Sequence, residues 1–224
     1  MLKQDYHIHC ELSPDSTAAL DAVCSQAYRL GLEEAAFTDH YELIEGVTAR
    51  GSIRREYLEI SREKLLACLH RVAHRDLSLF NYREEDCEAL GETYARELLE
   101  IARAGDYDCL SHLDLIRRYP AFQGVSLRME DHMELVEEIL KQVVRRGKGI
   151  EINTTAGSLA EPLPSLAILK AYRRLGGEIV TTGSDAHRAE DVAKGFDRAE
   201  ELLREAGFSY AARYKERKPY FVKL

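Results

Sequence analysis

The chain has 224 residues, 45% of them hydrophobic and 31% charged, and its formal net charge at pH 7 is -8. This composition is typical of a globular protein with a sizeable core, and a single domain over residues 1–224 is expected. The acidic balance argues against a nucleic-acid partner or anionic membranes, and no apolar run is long enough to span a bilayer. The N-terminus lacks a signal-peptide pattern and the five cysteines form no C-x-x-C pair, so a reducing, cytoplasmic location is expected.

The chain opens with two histidines, His7 and His9, inside a short apolar run. In a β-strand, alternate side chains share a face, which places these two imidazoles about 6.6 Å apart along the strand. Imidazoles at that separation can bind one metal ion or bracket two, and they suit zinc or iron. Taken alone, the pair is equally compatible with two histidines that line a polar cleft.

The rest of the chain alternates between apolar runs and amphipathic helical patterns. Strands are predicted over residues 34–40, 107–112, 147–153, 177–183 and 219–224. Helices are predicted over residues 17–30, 54–70, 84–104, 128–146, 164–176 and 190–206. Residues 65–69 could instead form a short strand that ends at His70. Such alternation predicts a mostly parallel sheet with right-handed crossovers in one barrel-like α/β domain.

Metal-competent side chains recur at or just beyond the ends of the predicted strands. They are His7, His9, His40, His112, Asp185 and His187. In parallel barrels the catalytic groups sit at the carboxyl ends of the strands, so residues that are distant in sequence meet in one cleft. The sequence therefore predicts a metal site built from several strands.

Four motifs in this order resemble the polymerase and histidinol phosphatase (PHP) superfamily. They are His7-x-His9, Thr38-Asp39-His40, Ser111-His112-Leu113-Asp114 and Gly183-Ser184-Asp185-Ala186-His187. Within that superfamily, residues 111–119 and 151–155 are similar to the PHP-type histidinol-phosphatases. The resemblance covers nearly the whole chain.

The resemblance implies a distorted (β/α)7 TIM-like barrel with two to three divalent ions, which would be zinc, manganese or iron. His7, His9 and Asp185 would bind the first ion. His112 would bind the second, together with His70. His40, His187 and Asp15 would bind the third.

One departure from the family pattern concerns a bridging carboxylate. The family carries a strand-borne Gly-x-Glu whose glutamate bridges the first two metals, and no such motif occurs between His40 and His70. Glu56, Glu59 and Glu63 lie in a charged helical pattern that indicates a solvated face. Either the barrel lacks one βα unit or the sequence omits a segment, and a two-metal centre without this carboxylate would be weakened.

The expected reaction is hydrolysis of L-histidinol phosphate, a small phosphorylated amino alcohol, in histidine biosynthesis. Two divalent ions can activate a water molecule and clamp a phosphoryl group. Arginine binds phosphate in bidentate fashion, so Arg117 and Arg118 are candidates for the phosphate contact, with Arg117 preferred and Arg188 a weaker candidate.

Roles next to the predicted metal ligands are also expected for four other polar residues. Asp39 and Asp114 neighbour ligand histidines and could orient them or relay protons to the leaving alcohol. Glu151 and Asn153 share one strand face and could contact the substrate amine, or they could form an ordinary hydrogen-bonding pair.

Two other functions are also compatible with the sequence. A PHP phosphoesterase acting on nucleotides or oligonucleotides would need a wider, more basic cleft. The missing bridging glutamate also suits a degenerate, non-catalytic metal-binding protein. The sequence leaves the oligomeric state open.

Overall fold

A computed structural model describes residues 2–13, 15–39, 82–155 and 159–224. His40 and His70 lie outside the described residues, as do the helix predicted over 54–70 and the alternative strand over 65–69. The described chain alternates between strands and helices, in agreement with the α/β class predicted from the sequence.

The strands are β1 (Gln4–Ile8), β2 (Glu34–Phe37), β3 (Cys109–Leu110), β4 (Gly149–Asn153), β5 (Val180–Gly183), β6 (Tyr210–Lys215) and β7 (Lys218–Lys223). The helices are α1 (Leu20–Arg29), α2 (Glu84–Ala104), α3 (Arg118–Phe122), α4 (Met133–Arg145), α5 (Leu166–Arg174) and α6 (Phe196–Glu205). Single 3-10 turns cover Leu115–Arg117, Met129–His132 and Ala189–Asp191.

The parallel strands bring their carboxyl ends together. β1 pairs in parallel with β2, and β4 lies between β3 and β5 in a second parallel sheet. Beyond the end of β5, the amide of Asp185 donates to the carbonyl of His7 at 2.8 Å, and the amide of His9 donates to the carbonyl of Ala186 at 2.8 Å. These bonds join the end of β1 to the segment that follows β5.

The hydrophobic core lies between the helices and the central strands. All five residues of β4 are buried, as expected for a strand covered on both faces. On α4 the buried residues are Val136, Ile139, Leu140 and Val143, a helical spacing that forms one apolar stripe. This stripe and the buried residues of α2 belong to the same core cluster. Among the described residues, no helix is both long and apolar enough to cross a bilayer.

The C-terminal end differs from the sequence-based prediction. One strand was expected over 219–224, whereas β6 and β7 form an antiparallel hairpin. Its turn residues, Glu216 and Arg217, both have left-handed backbones, with φ of 50° and 61°. Hairpins of this kind usually carry Asn-Gly or Asp-Gly at the turn, so the sequence offers no strong signal for this one.

Candidate metal centre

Three parallel strands deliver the histidines and the aspartate of the predicted cluster. His7 lies near the end of β1 and His9 just beyond it, while His112 follows β3. Asp185 and His187 follow β5. Because backbone hydrogen bonds join the end of β1 to the segment after β5, the side chains at these two strand ends converge.

The predicted first metal site is assembled in the structure. Asp185 Oδ1 lies 3.5 Å from His7 Nε2 and 3.2 Å from His9 Nε2, and all three residues are buried. One ligand atom from each residue lies within 4.8 Å of the others. Two imidazoles and one carboxylate with this spacing suit a divalent transition-metal ion, so the residues fit the group that the family resemblance implies.

His112, predicted for the second metal, packs against this trio. Its ring centroid lies 4.7 Å from that of His7. The buried Nδ1 atom of His112 has no hydrogen-bond partner among the described residues. Burial lowers the pKa of His112 to about 4, so the ring is neutral near pH 7 and keeps a lone pair, as a metal ligand must.

The described part of the predicted third site is also assembled. His187 Nε2 lies 3.1 Å from Asp15 Oδ2, and His187 Nδ1 lies 2.9 Å from the carbonyl oxygen of Asp185. A carbonyl only accepts, so Nδ1 of His187 donates to Asp185, and Nε2 is the ring nitrogen that faces Asp15. The rings of His9 and His187 stack with centroids 4.2 Å apart, which links this site to the first.

The charged groups of the cluster shift one another's pKa values. Burial opposes protonation of His7, but the carboxylates of Glu151, Asp185 and Asp5 outweigh it and raise the pKa of His7 to about 9. Burial by itself would raise the pKa of Glu151, yet its contacts with His7, His112 and Ser111 lower that pKa to about 2. The pKa of Asp185 is also lowered, because the histidines and Arg118 outweigh the effect of burial.

The two adjacent arginines point to different partners. Arg118 Nη1 donates to Asp185 Oδ2 at 3.2 Å, which places its guanidinium at the edge of the cluster. Arg117 donates to the carbonyl of Pro162 at 2.7 Å and lies 3.1 Å from the carboxylate of Asp114. The structure therefore brings Arg118 to the cluster, whereas Arg117 was preferred from the sequence. Arg188 is exposed and pairs with Glu190 at 2.5 Å.

The predicted proton-relay carboxylates have structural partners. Asp39 accepts from the amide of Cys10 at 2.7 Å and from its thiol at 3.2 Å, and so it holds the segment after His9. Asp114 is fully buried, accepts from the amide of Ser165 at 3.1 Å, and has a pKa raised by burial to about 6.

Two further residues help to build the site. Asp5 is buried in β1 and accepts hydrogen bonds from the amides of His7, Ser184 and Ala193, so it fixes the approach of the β1 and β5 ends. The Ser111 hydroxyl donates to Glu151. The position of Ser111 directly before His112 was the available sequence signal for this contact.

Comparisons with known proteins agree with the motifs. Residues 5–64 match the family model of the PHP domain. A Thermotoga maritima protein named "Probable histidinol-phosphatase" is 29% identical over 225 residues, covering 93% of this chain and 94% of that protein. The histidinol-phosphatase of Lactococcus lactis is 24% identical over 258 residues, covering 96% of this chain and 95% of the relative.

A solved structure supports the fold. The crystal structure of histidinol phosphate phosphatase from Lactococcus lactis, complexed with zinc, L-histidinol and phosphate, matches with a TM-score of 0.71 at 21% identity. The match covers 98% of this chain and 100% of that chain. Together with the sequence matches, it confirms that the chain resembles the PHP superfamily and, within it, the histidinol-phosphatases.

Proposed function

We propose that this protein is a metal-dependent phosphoric monoester hydrolase that converts L-histidinol phosphate to L-histidinol and phosphate. The observation that carries the proposal is the convergence of His7, His9 and Asp185 beside Arg118, in a chain similar to histidinol-phosphatases over more than nine-tenths of its length. The reaction places the enzyme in histidine biosynthesis.

Two to three divalent ions, drawn from zinc, manganese and iron, are proposed as cofactors. The buried donors of His7, His9 and Asp185 support a first site, His112 a second, and Asp15 with His187 a third. When bound, such ions attract phosphoryl oxygens and lower the pKa of coordinated water, which makes hydroxide available near pH 7.

The remaining groups act on the substrate and on the histidines. Arg118 is the proposed phosphate contact, because its guanidinium reaches the cluster and is partly exposed. Asp39 and Asp114 stay predicted to orient histidines or relay protons. Asn153 lies beside Glu151 on β4 and stays a predicted contact for the substrate amine.

We also propose that the parallel strands belong to a PHP-type (β/α)7 barrel that lacks one βα unit. Within the described residues, the strands form three small sheets without closure. The alignment with the Lactococcus lactis enzyme runs over 258 residues, more than the 224 of this chain, so it requires gaps on this side. These gaps support a shorter barrel. One domain over residues 1–224 and a cytoplasmic location stay predictions.

The proposal is tested by measuring phosphate release from L-histidinol phosphate and from a nucleoside monophosphate with zinc- or manganese-loaded protein. We expect a clear preference, at least about 10-fold in kcat/KM, for L-histidinol phosphate, because a site built for its amine and phosphate leaves polar groups unpaired with other substrates. Preference for the nucleotide would favour the second phosphoesterase function. Loaded protein that is inert towards both substrates would favour the non-catalytic alternative.

A further inference from the structure

Glu151 occupies the centre of the cluster without belonging to any of the proposed metal sites. It is buried in β4, and its Oε1 atom lies 2.7 Å from His7 Nδ1. The space for this contact comes from Gly183 on the neighbouring strand β5. A Cβ atom at that position would collide with both Glu151 Oε1 and His7.

The second oxygen of Glu151 is also engaged. Oε2 accepts from the Ser111 hydroxyl and from the Asn153 side-chain amide, the latter at 3.2 Å. Asn153 is itself fixed, because its Oδ1 atom accepts from the amide of Thr155 at 2.7 Å. Both carboxylate oxygens are therefore held by donors, and the carboxylate has a fixed orientation.

This arrangement determines which His7 nitrogen faces the metal site. An ionised carboxylate can only accept a hydrogen bond, so the proton shared with Glu151 lies on Nδ1 of His7. The other nitrogen, Nε2, faces Asp185 Oδ1 at 3.5 Å, on the side where His9 also points. A histidine that donates one N–H to a carboxylate is oriented for metal binding and becomes a more basic ligand.

We propose that Glu151 is a positioning residue of the metal centre, which orients His7 and fixes its tautomer while Ser111 and Asn153 hold the carboxylate. This inference rests on the metal centre of the proposed function and is independent of the substrate. It differs from the contact with the substrate amine predicted from the sequence, because the three donors already occupy both oxygens of Glu151.

A different role for the same residue would be that of the bridging carboxylate that the family carries in its Gly-x-Glu motif. The donors on both oxygens favour positioning, since they use three of the roughly four lone-pair sites of the carboxylate, and a bridge between two ions needs two sites. The two roles predict different metal stoichiometry, and this difference can be measured.

The test is zinc binding by the full-length protein, measured by competition with a chromophoric chelator and by metal content after equilibrium dialysis. Glu151→Gln keeps the size of the side chain but loses the charge and one acceptor. We expect it to weaken the tightest zinc site about 10- to 100-fold, the usual cost of losing an outer-shell partner, with the number of bound ions unchanged. The matched control is Glu178→Gln, an exposed carboxylate near β5, which should bind zinc like the wild type.

A second variant keeps the test informative if Glu151→Gln does not fold. Ser111→Ala removes only one donor to Glu151, and we expect about 3- to 10-fold weaker zinc binding, as for one lost hydrogen bond. Wild-type zinc affinity in both variants would overturn the proposal, as would a loss of one whole ion in Glu151→Gln, which would make Glu151 a bridging ligand. Zinc-loaded wild type that does not hydrolyse L-histidinol phosphate would instead contradict the proposed function alone.

Discussion

His112 and Asp185 reach the metal centre from unusual backbone conformations. Both have left-handed φ angles, 55° and 58°, although neither is a glycine. Histidine and aspartate tolerate this region better than most residues, and strained residues cluster at functional sites. In each case the residue lies two positions beyond the end of a parallel strand, and its side chain faces His7.

Replacing the two neighbouring arginines one at a time should have different effects. Loss of Arg118 should mainly lower kcat/KM, whereas loss of Arg117 should mainly lower the free energy of unfolding. Arg118→Ala removes the guanidinium that reaches Asp185, and we expect kcat/KM for L-histidinol phosphate to fall about 10- to 100-fold, the value of a hydrogen bond to a charged group. Steady-state kinetics on metal-loaded protein measure this change.

Arg117→Ala is the matched comparison for that variant. It leaves buried Asp114 without its guanidinium partner, so we expect the free energy of unfolding to fall by about 1–3 kcal/mol, with a smaller loss of kcat/KM than for Arg118→Ala. Denaturant unfolding measures the stability change. A larger kinetic loss in Arg117→Ala would restore the preference drawn from the sequence.

At the residue scale, the sequence predicted that His7, His9 and Asp185 lie together, and the structure confirms this clustering. His7, His9 and Asp185 follow from strand alternation and from the position of the motifs at strand ends. The sequence favoured Arg117 over Arg118, but it does not determine which of the two faces the cluster, because consecutive residues on a helical turn point in directions about 100–120° apart and packing selects between them. Glu151 was correctly placed on a strand face, but its partner, His7, lies 144 positions away in the chain.

At the level of elements, the approach of β5 to β1 depends on a glycine. Gly183→Ala would drive a methyl group into Glu151 and His7. We expect a loss of about 1–3 kcal/mol in the free energy of unfolding, as for other overpacked positions, together with weaker zinc binding. Denaturant unfolding and a zinc titration measure the two effects.

Gly124→Ala is the control for that variant. Gly124 has φ of 74° and open space around its Cα, so alanine there strains the backbone without touching the cluster. It should lower stability and leave zinc affinity unchanged. Equal zinc affinity in Gly183→Ala and in the wild type would mean that the site does not need this close approach.

The order of elements was largely predictable from periodicity. The helix predicted over 84–104 coincides with α2, and the apolar runs before Asn153 and Gly183 became β4 and β5. Strand β6 was missed, because Tyr210–Lys215 mixes alanine and charged residues and ends in a turn without glycine. Such a hairpin is selected by its contacts with the rest of the fold, which a local pattern does not contain.

At the scale of the whole molecule, the arrangement of the parallel strands brings the residues of the cluster together. The ends of β1, β3 and β5 lie far apart in sequence and are brought together because parallel strands present their carboxyl ends at one edge. The sequence predicted this convergence. The closure of the barrel stays a prediction, because the strands of the described residues form three separate small sheets.

The central claim is that bound metal makes this chain a phosphatase for L-histidinol phosphate. The direct measurement is phosphate release by chelator-treated protein as zinc or manganese is added back, with the ions bound per chain determined in the same samples. We expect no turnover without metal, and activity that rises with metal content and saturates at two or three ions per chain. Full activity in metal-free protein would contradict the account, as would protein that binds metal at these ratios and releases no phosphate.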